Sequence, residues 1–144
     1  MREIALHILD IVENGINAGA DLVRITVEEN RTENLLRISI GDNGRGMAKE
    51  LLEKALDPFF TTRTTRRVGL GLSLFKEAAK RCEGNFEISS AEGKGTEVKA
   101  SFRLNHIDLA PLGDMAGSLT SLIMGNPMVD FVYIHSMDGK EFRL

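Results

Sequence analysis

Polar and apolar positions at the start of the chain follow a helical period, but the polar ones are few and tightly aligned. Glu3, His7, Asp10, Asn14 and Asn17 are spaced 4, 3, 4 and 3 residues apart, which puts them on one narrow stripe. Ile4, Ala5, Ile8, Leu9, Ile11, Val12 and Ile16 occupy most of the remaining circumference. A helix lying on a protein surface normally shows a broad charged face instead. The pattern predicts a mostly buried helix over 3–18, stopped by Gly19, whose polar stripe either lines a cavity or forms one wet edge.

Beyond it, Leu22–Glu28 and Leu35–Ile40 alternate as strands across a polar loop, which predicts an antiparallel hairpin. Gly41–Gly46 reads as a tight turn, and a short helix over Lys49–Leu56 ends before Pro58. Residues 61–69 are polar and basic without a period, and Leu70–Arg81 reads as a second long helix closed near Gly84. Phe86–Ser90 and Glu97–Leu104 form a hairpin around Gly93-Lys94-Gly95. A helix over Leu112–Met124 is broken by Asn126-Pro127, and a last hairpin, Val129–Ser136 with Lys140–Leu144, turns at Asp138-Gly139. Blocks of helices and hairpin-joined strands predict an α+β two-layer sandwich, with helices packed on one face of a mixed, mostly antiparallel sheet.

Composition narrows the class. At 144 residues, 42% hydrophobic and 27% charged, the chain fits one globular domain and neither a disordered nor a fibrous class. No apolar run approaches the ~20 residues of a membrane span. His7 and Asp10 interrupt what would be the core of a secretion signal. The single cysteine, Cys82, excludes an internal disulfide and points to a reducing, cytoplasmic setting. A net charge of −3 gives no sign of a nucleic-acid partner.

The candidate chemistry lies in the glycines and the helix stripe. Gly69-Leu70-Gly71 at a helix start exposes backbone N–H groups suited to phosphate oxygens. There is no G-x-x-x-x-G-K-[ST], and Leu74 stands where a dinucleotide fingerprint needs a small residue, so a nucleotide here belongs to neither of those folds. Taken singly, Asp42 reads as a turn aspartate and Asn14 as a buried asparagine bonded to a loop.

Their order along the chain is more telling. Asp10–Ala20, containing Asn14 and Asn17, resembles the N-box of the GHKL superfamily of gyrase, Hsp90 chaperones, histidine kinases and mismatch-repair ATPases. Asp42-Asn43-Gly44-Arg45-Gly46-Met47 resembles its G1 box, and Asp57-Pro58-Phe59-Phe60-Thr61-Thr62-Arg63 its F-box. Val68-Gly69-Leu70-Gly71-Leu72-Ser73-Leu74 resembles the G2 box, and Gly93-Lys94-Gly95-Thr96 the last glycine box. The wording is most similar to the ATP-binding domain of bacterial sensor histidine kinases and of stand-alone anti-sigma-factor kinases.

The resemblance implies an ATP site with Mg²⁺. Asp42 would accept the exocyclic amine of adenine, with Thr96 assisting through water. Gly44, Gly46 and Met47 would border the base, and Asn14 would ligate Mg²⁺ with Asn17 nearby. Phe59, Phe60, Thr61, Thr62 and Arg63 of the F-box would also belong to the nucleotide-binding set, and Arg63, Arg66 and Arg67 would neutralise phosphate charge. Gly69, Leu70, Gly71 and Leu72 would wrap the triphosphate, and 61–69 would form a lid whose arginines face phosphate. Asp10 departs from the hydrolysing relatives, which carry glutamate there to activate water. It is one methylene shorter, about 1.5 Å, and an error near 1 Å costs around 10²-fold.

No histidine-bearing dimerisation helices precede the N-box, so a complete sensor kinase is not expected. The module is expected to fill 1–104, with 105–144 an extension, a helix plus a β-hairpin, packed on the same domain. The resulting expectation is a Mg²⁺-ATP-binding protein that transfers the terminal phosphoryl group to a protein partner or hydrolyses ATP slowly, with a homodimer left open. The alternative is a non-catalytic ATP-gated binding module.

Overall fold

The computed structural model describes residues 3–56 and 67–143. Helix α1 (Ile4–Asn17) is followed by β1 (Leu22–Asn30) and β2 (Leu35–Asp42), then by a short α2 (Lys49–Ala55) and a long α3 (Arg67–Arg81). Strands β3 (Phe86–Ala91) and β4 (Gly95–Arg103) precede α4 (Met115–Gly125) and the closing pair β5 (Asp130–Met137) and β6 (Lys140–Arg143). The strands form one sheet in the order β3-β4-β2-β1-β5-β6. β1 and β5 run parallel and the other neighbours antiparallel. This is the expected two-layer α+β sandwich with a mixed, mostly antiparallel sheet.

Alternation decides which face of the sheet is covered. Val23, Ile25 and Val27 of β1, Leu36, Ile38 and Ile40 of β2, and Val98, Ala100 and Phe102 of β4 are all buried. They pack against Ile4, Ile8, Ile11 and Val12 of α1 and Leu72, Phe75 and Ala79 of α3 in one core. Phe75 lies 5.7 Å from Phe102 and 6.4 Å, edge-on, from Phe86, so one ring joins α3 to two strands. The intervening residues, among them Arg24, Arg37, Glu97 and Lys99, are exposed on the opposite face.

Of the element boundaries that differ from the sequence expectation, three have a clear local reason. β2 continues through Gly41 to Asp42, because Asp42 pairs with Val23 on one side and Thr96 on the other. α3 begins at Arg67 rather than Leu70, so residues 67–69 of the expected irregular lid are helical. Leu72, Phe75 and Ala79, buried at spacings of 3 and 4, anchor that helix and offset the roughly 1 kcal/mol that each glycine costs. α4 starts at Met115 rather than Leu112, because the Asp114 side chain accepts the Gly117 N–H at 2.9 Å and Gly113 takes φ +87°. The residues left outside cap another helix. The carbonyls of Pro111 and Leu112 accept the N–H groups of Ile4 and Ala5 at 2.9 and 2.8 Å, which satisfies two otherwise orphaned donors at the start of α1.

Candidate functional site

The pairing register places three polar side chains in one row. Ile40, Val98 and Ile88 face each other across β2, β4 and β3, and two residues further along the partners are Asp42, Thr96 and Ser90. A step of two keeps the same face. Carboxylate and hydroxyls therefore continue the helix-covered face beyond the last apolar row, and all three are half-buried. The Asp42 Oδ1 accepts the Gly44 N–H at 2.9 Å, which fixes the carboxylate's orientation. Thr96 Oγ1 is 2.7 Å from Ser90 Oγ. Ser90 Oγ also accepts the Met47 N–H at 2.8 Å and donates to the Gly95 carbonyl at 3.2 Å.

Glycines let the surrounding backbone close on this row. A Cβ on Gly15 of α1 would stand 2.6 Å from Asp42 Oδ2, so the helix passes directly over the carboxylate. Gly95, at φ +96°, has the Asp42 carbonyl so near that a Cβ would lie 2.0 Å from it. Gly46, expected to border a base, is pressed in the same way against the Ala91 and Gly95 carbonyls. Its small size serves the packing of two loops. The Gly93 N–H donates to the Arg45 carbonyl at 2.6 Å and ties the same loops. Asn43 links the turn to β1, its Oδ1 accepting the Asp21 and Leu22 N–H groups at 2.9 and 3.0 Å.

The remaining expected residues fall into separate places. Asp10 and Asn14 are half-buried one turn apart on α1, and Asn17 is exposed at its end, where its carbonyl accepts from Arg45 Nη2 at 3.2 Å. His7, next on the stripe, is 5% exposed with its ring 5.6 Å from Phe75, so the stripe enters the core at that point. Gly44 sits against the Ala18 carbonyl, and Met47 is half-buried against the core. Gly69, Leu70 and Gly71 lie in the first turns of α3, and the Leu72 side chain is part of the core, 3% exposed. Phe59, Phe60, Thr61, Thr62 and Arg63 lie outside the described residues.

Two residues important to this geometry were absent from the sequence expectation. Ser90 is one of two adjacent serines, and only the strand phase set by Phe86 and Ile88 separates it from Ser89. Gly15 lies inside the Asp10–Ala20 motif, and only the crossing of α1 over Asp42 gives it a role. Among the described residues no group of three or more His, Cys, Asp and Glu is placed to hold a metal, and no helix is long and apolar enough to cross a membrane.

Comparison with known proteins supplies the lineage. The family model for histidine kinase-, DNA gyrase B- and HSP90-like ATPases matches residues 2–106. The non-motile and phage-resistance protein of Caulobacter vibrioides is 32% identical over 116 residues, covering 74% of this chain and 14% of that protein. The sensor histidine kinase WalK of Bacillus subtilis is 37% identical over 81 residues, covering 53% of this chain and 13% of that one. The chain thus spans about one seventh of the length of these relatives. Among solved structures, the Aquifex aeolicus MutL ATPase domain complexed with ADP superposes with a TM-score of 0.60 at 17% identity, covering 100% of this chain and 64% of that one. The last likeness is one of fold, and it extends past the end of the family match at residue 106. By sequence motifs, topology and the family match together, the chain belongs to the histidine kinase-, DNA gyrase B- and HSP90-like ATPase family.

Proposed function

We propose that this chain binds Mg²⁺-ATP at the Asp42–Thr96 row and acts on a protein partner, by transferring the terminal phosphoryl group or by slow hydrolysis in a regulatory role. The observation that carries the reading is the half-buried Asp42 carboxylate, held by the Gly44 N–H and crossed by a helix that has glycine at the crossing. A carboxylate only accepts, so the complementary group is a donor such as the amine of adenine. The donor set also fits the metal. Asn14 offers one hard oxygen, and Mg²⁺ is commonly bound through one or two protein ligands with phosphates and waters. Here Asn14 would hold it, and Mg²⁺ would supply charge neutralisation on the phosphates.

In this reading the chain's own residues position and orient. Phosphoryl transfer needs little covalent chemistry from the protein, so placement and charge neutralisation account for most of the rate. Asp10 stands one turn before Asn14 and would act on the attacking water. Its short side chain argues for weak turnover and favours a protein acceptor over water. The same substitution supports a second reading, an ATP-gated binding module without chemistry.

Turnover by purified protein separates them. The proposal expects slow ATP hydrolysis that Asp10→Asn lowers by roughly 10²–10⁴-fold with ATP affinity little changed, the usual contribution of a positioned base. Asp10→Glu should restore or raise the rate. Brisk turnover that survives Asp10→Asn would overturn the role of Asp10. Background turnover in all three proteins, with a partner captured only in the presence of ATP, would favour the module.

A further inference from the structure

Both ends of α1 are held by backbone from elsewhere in the fold. Its N-cap residue, Glu3, makes no side-chain bond to the helix. The Ile4 and Ala5 N–H groups donate instead to the Pro111 and Leu112 carbonyls, at 2.9 and 2.8 Å. At the other end, the Ala18 carbonyl accepts the Arg45 N–H at 2.9 Å, and the Asn17 carbonyl accepts from the Arg45 guanidinium at 3.2 Å. Arg45 belongs to the turn that follows Asp42, and Gly15, in the same last turn of helix, crosses the Asp42 carboxylate. The carbonyls at the first end belong to residues 105–114, which run from β4 to α4 and are fixed at both of their own ends. Asn105 donates its N–H to Asn34 Oδ1 at 3.0 Å and accepts from Asn34 Nδ2 at 2.8 Å. Gly113 takes φ +87°, and a Cβ there would press on the Glu3 carboxylate and lie 3.0 Å from the Glu3 Cβ.

We propose that residues 105–114 are a positioning strap, coupled through α1 to the nucleotide site, so that strap and nucleotide each strengthen the other's hold on the helix. This rests on the proposed ATP reading and adds to it a control point lying mostly beyond residue 106, where the family match ends. A helix rises 1.5 Å per residue, so Asn14 stands about 15 Å from Ile4 on one rigid rod. The strap's two bonds set where that rod sits along its own axis. At the far end the glycine crossing leaves no slack, because even a methyl group at Gly15 would meet Asp42. A strap displaced from Ile4 and Ala5 lets α1 shift, and Asn14 and the Asp42 crossing then leave the geometry that a nucleotide needs. Coupling of this kind is reciprocal. A nucleotide that holds the far end of α1 therefore protects the two capped N–H groups at the near end.

Calorimetric titration with Mg²⁺-ADP, together with amide hydrogen exchange, tests this on the full chain. Gly113→Ala strains a left-handed backbone and drives a side chain against Glu3. It should weaken Mg²⁺-ADP binding by roughly two- to thirtyfold, the span of coupling changes for mutations that touch neither ligand. Asn105→Ala releases the other fastening and should act in the same direction with a smaller loss, which keeps the test available should Gly113→Ala not fold. Gly139→Ala is the control. It carries the same backbone strain, at φ +92° in the β5–β6 turn, with nothing within 4 Å of the new Cβ, and should lower the melting point with affinity unchanged. In wild type, saturating Mg²⁺-ADP should slow exchange at Ile4 and Ala5 several-fold, and Gly113→Ala should abolish that protection. Folded Gly113→Ala and Asn105→Ala proteins with wild-type affinity, or a Gly139→Ala protein weakened as much as they are, would make the strap purely structural and overturn the inference alone. Wild type that binds no Mg²⁺-ADP would overturn it together with the reading beneath it.

Discussion

Replacing Gly15 by alanine sets two effects of known sign against each other at the proposed site. Gly15 is inside α1, where alanine favours the helix by about 0.8–1.0 kcal/mol. The new Cβ would lie 2.6 Å from Asp42 Oδ2, 2.8 Å from its Cγ and 3.0 Å from its Cβ. That is about 1 Å inside an ordinary 3.5–4.0 Å carbon contact. Rotating the carboxylate away cannot relieve the clash with the Asp42 Cβ, so α1 or β2 must shift. The shift also endangers the 2.9 Å bond from the Gly44 N–H to Asp42, and a hydrogen bond to a charged group contributes about 1.5–3 kcal/mol. With overpacking of about 1–3 kcal/mol added, the loss exceeds the helix gain. A net destabilisation of about 1.5–5 kcal/mol should appear as a melting point lower by several degrees or more. ATP affinity should fall as well, by about 10–150-fold, because the displaced carboxylate is the acceptor for the base. Thermal melts and calorimetry on the same preparations measure both. Gly125→Ala, in a helix position with nothing within 4 Å, is the control and should leave both values near wild type or slightly raise stability. A Gly15→Ala protein that melts higher and binds ATP as wild type does would refute the crossing of α1 over Asp42.

Two further outcomes follow from named groups. Asn14→Ala should spare weak binding of metal-free nucleotide but remove most of the affinity gained on adding Mg²⁺, read by titrations with and without the metal; an equal gain in both proteins would make Asn14 structural. The Asp138 carboxyl is held below the usual carboxylate range, first by the Arg31 N–H at 2.8 Å and then by its guanidinium at 2.7 Å. A depressed carboxyl stabilises the fold above its unfolded pKa, and the contribution disappears as pH falls through the lower folded value. Asp138→Asn, which tolerates the φ of +50° there, should therefore lower the melting point at pH 7, and the gap to wild type should narrow as the pH falls below about 4. A gap that stays constant on acidification through the carboxylate range would contradict the assignment.

The elements were legible in the sequence because their signals were local. The 3.6-residue period of α1, the alternation of β1 and β2, and the Asp138-Gly139 turn each lie within a few residues. What sequence could not supply is the register between distant strands. Asp42 and Thr96 belong to different motifs, and their adjacency appears only when β2 pairs with β4. Ser90 becomes part of the site through the pairing of β3 with β4, and nothing in the run Ile88-Ser89-Ser90-Ala91 announces it. Boundary errors had a similar origin. Apolar periodicity suggested that α4 begins at Leu112, but the carbonyls of Pro111 and Leu112 are used to cap α1, far away in sequence. The parallel pairing of β5 with β1 also lies beyond local pattern, since the two strands are separated by most of the chain.

If Asp42 accepts the amine of a bound adenine nucleotide, titration of Asp42→Asn with Mg²⁺-ATP will show it. Asparagine keeps the shape, and its carbonyl oxygen can still accept the Gly44 N–H, but it replaces a charged acceptor by a neutral amide. Loss of that charged bond should weaken ATP binding by about 10–150-fold, or 1.5–3 kcal/mol. GTP, which presents a carbonyl to the Asp42 carboxylate, should bind wild type far less tightly than ATP does. An Asp42→Asn protein that binds ATP with wild-type affinity would remove Asp42 from adenine recognition.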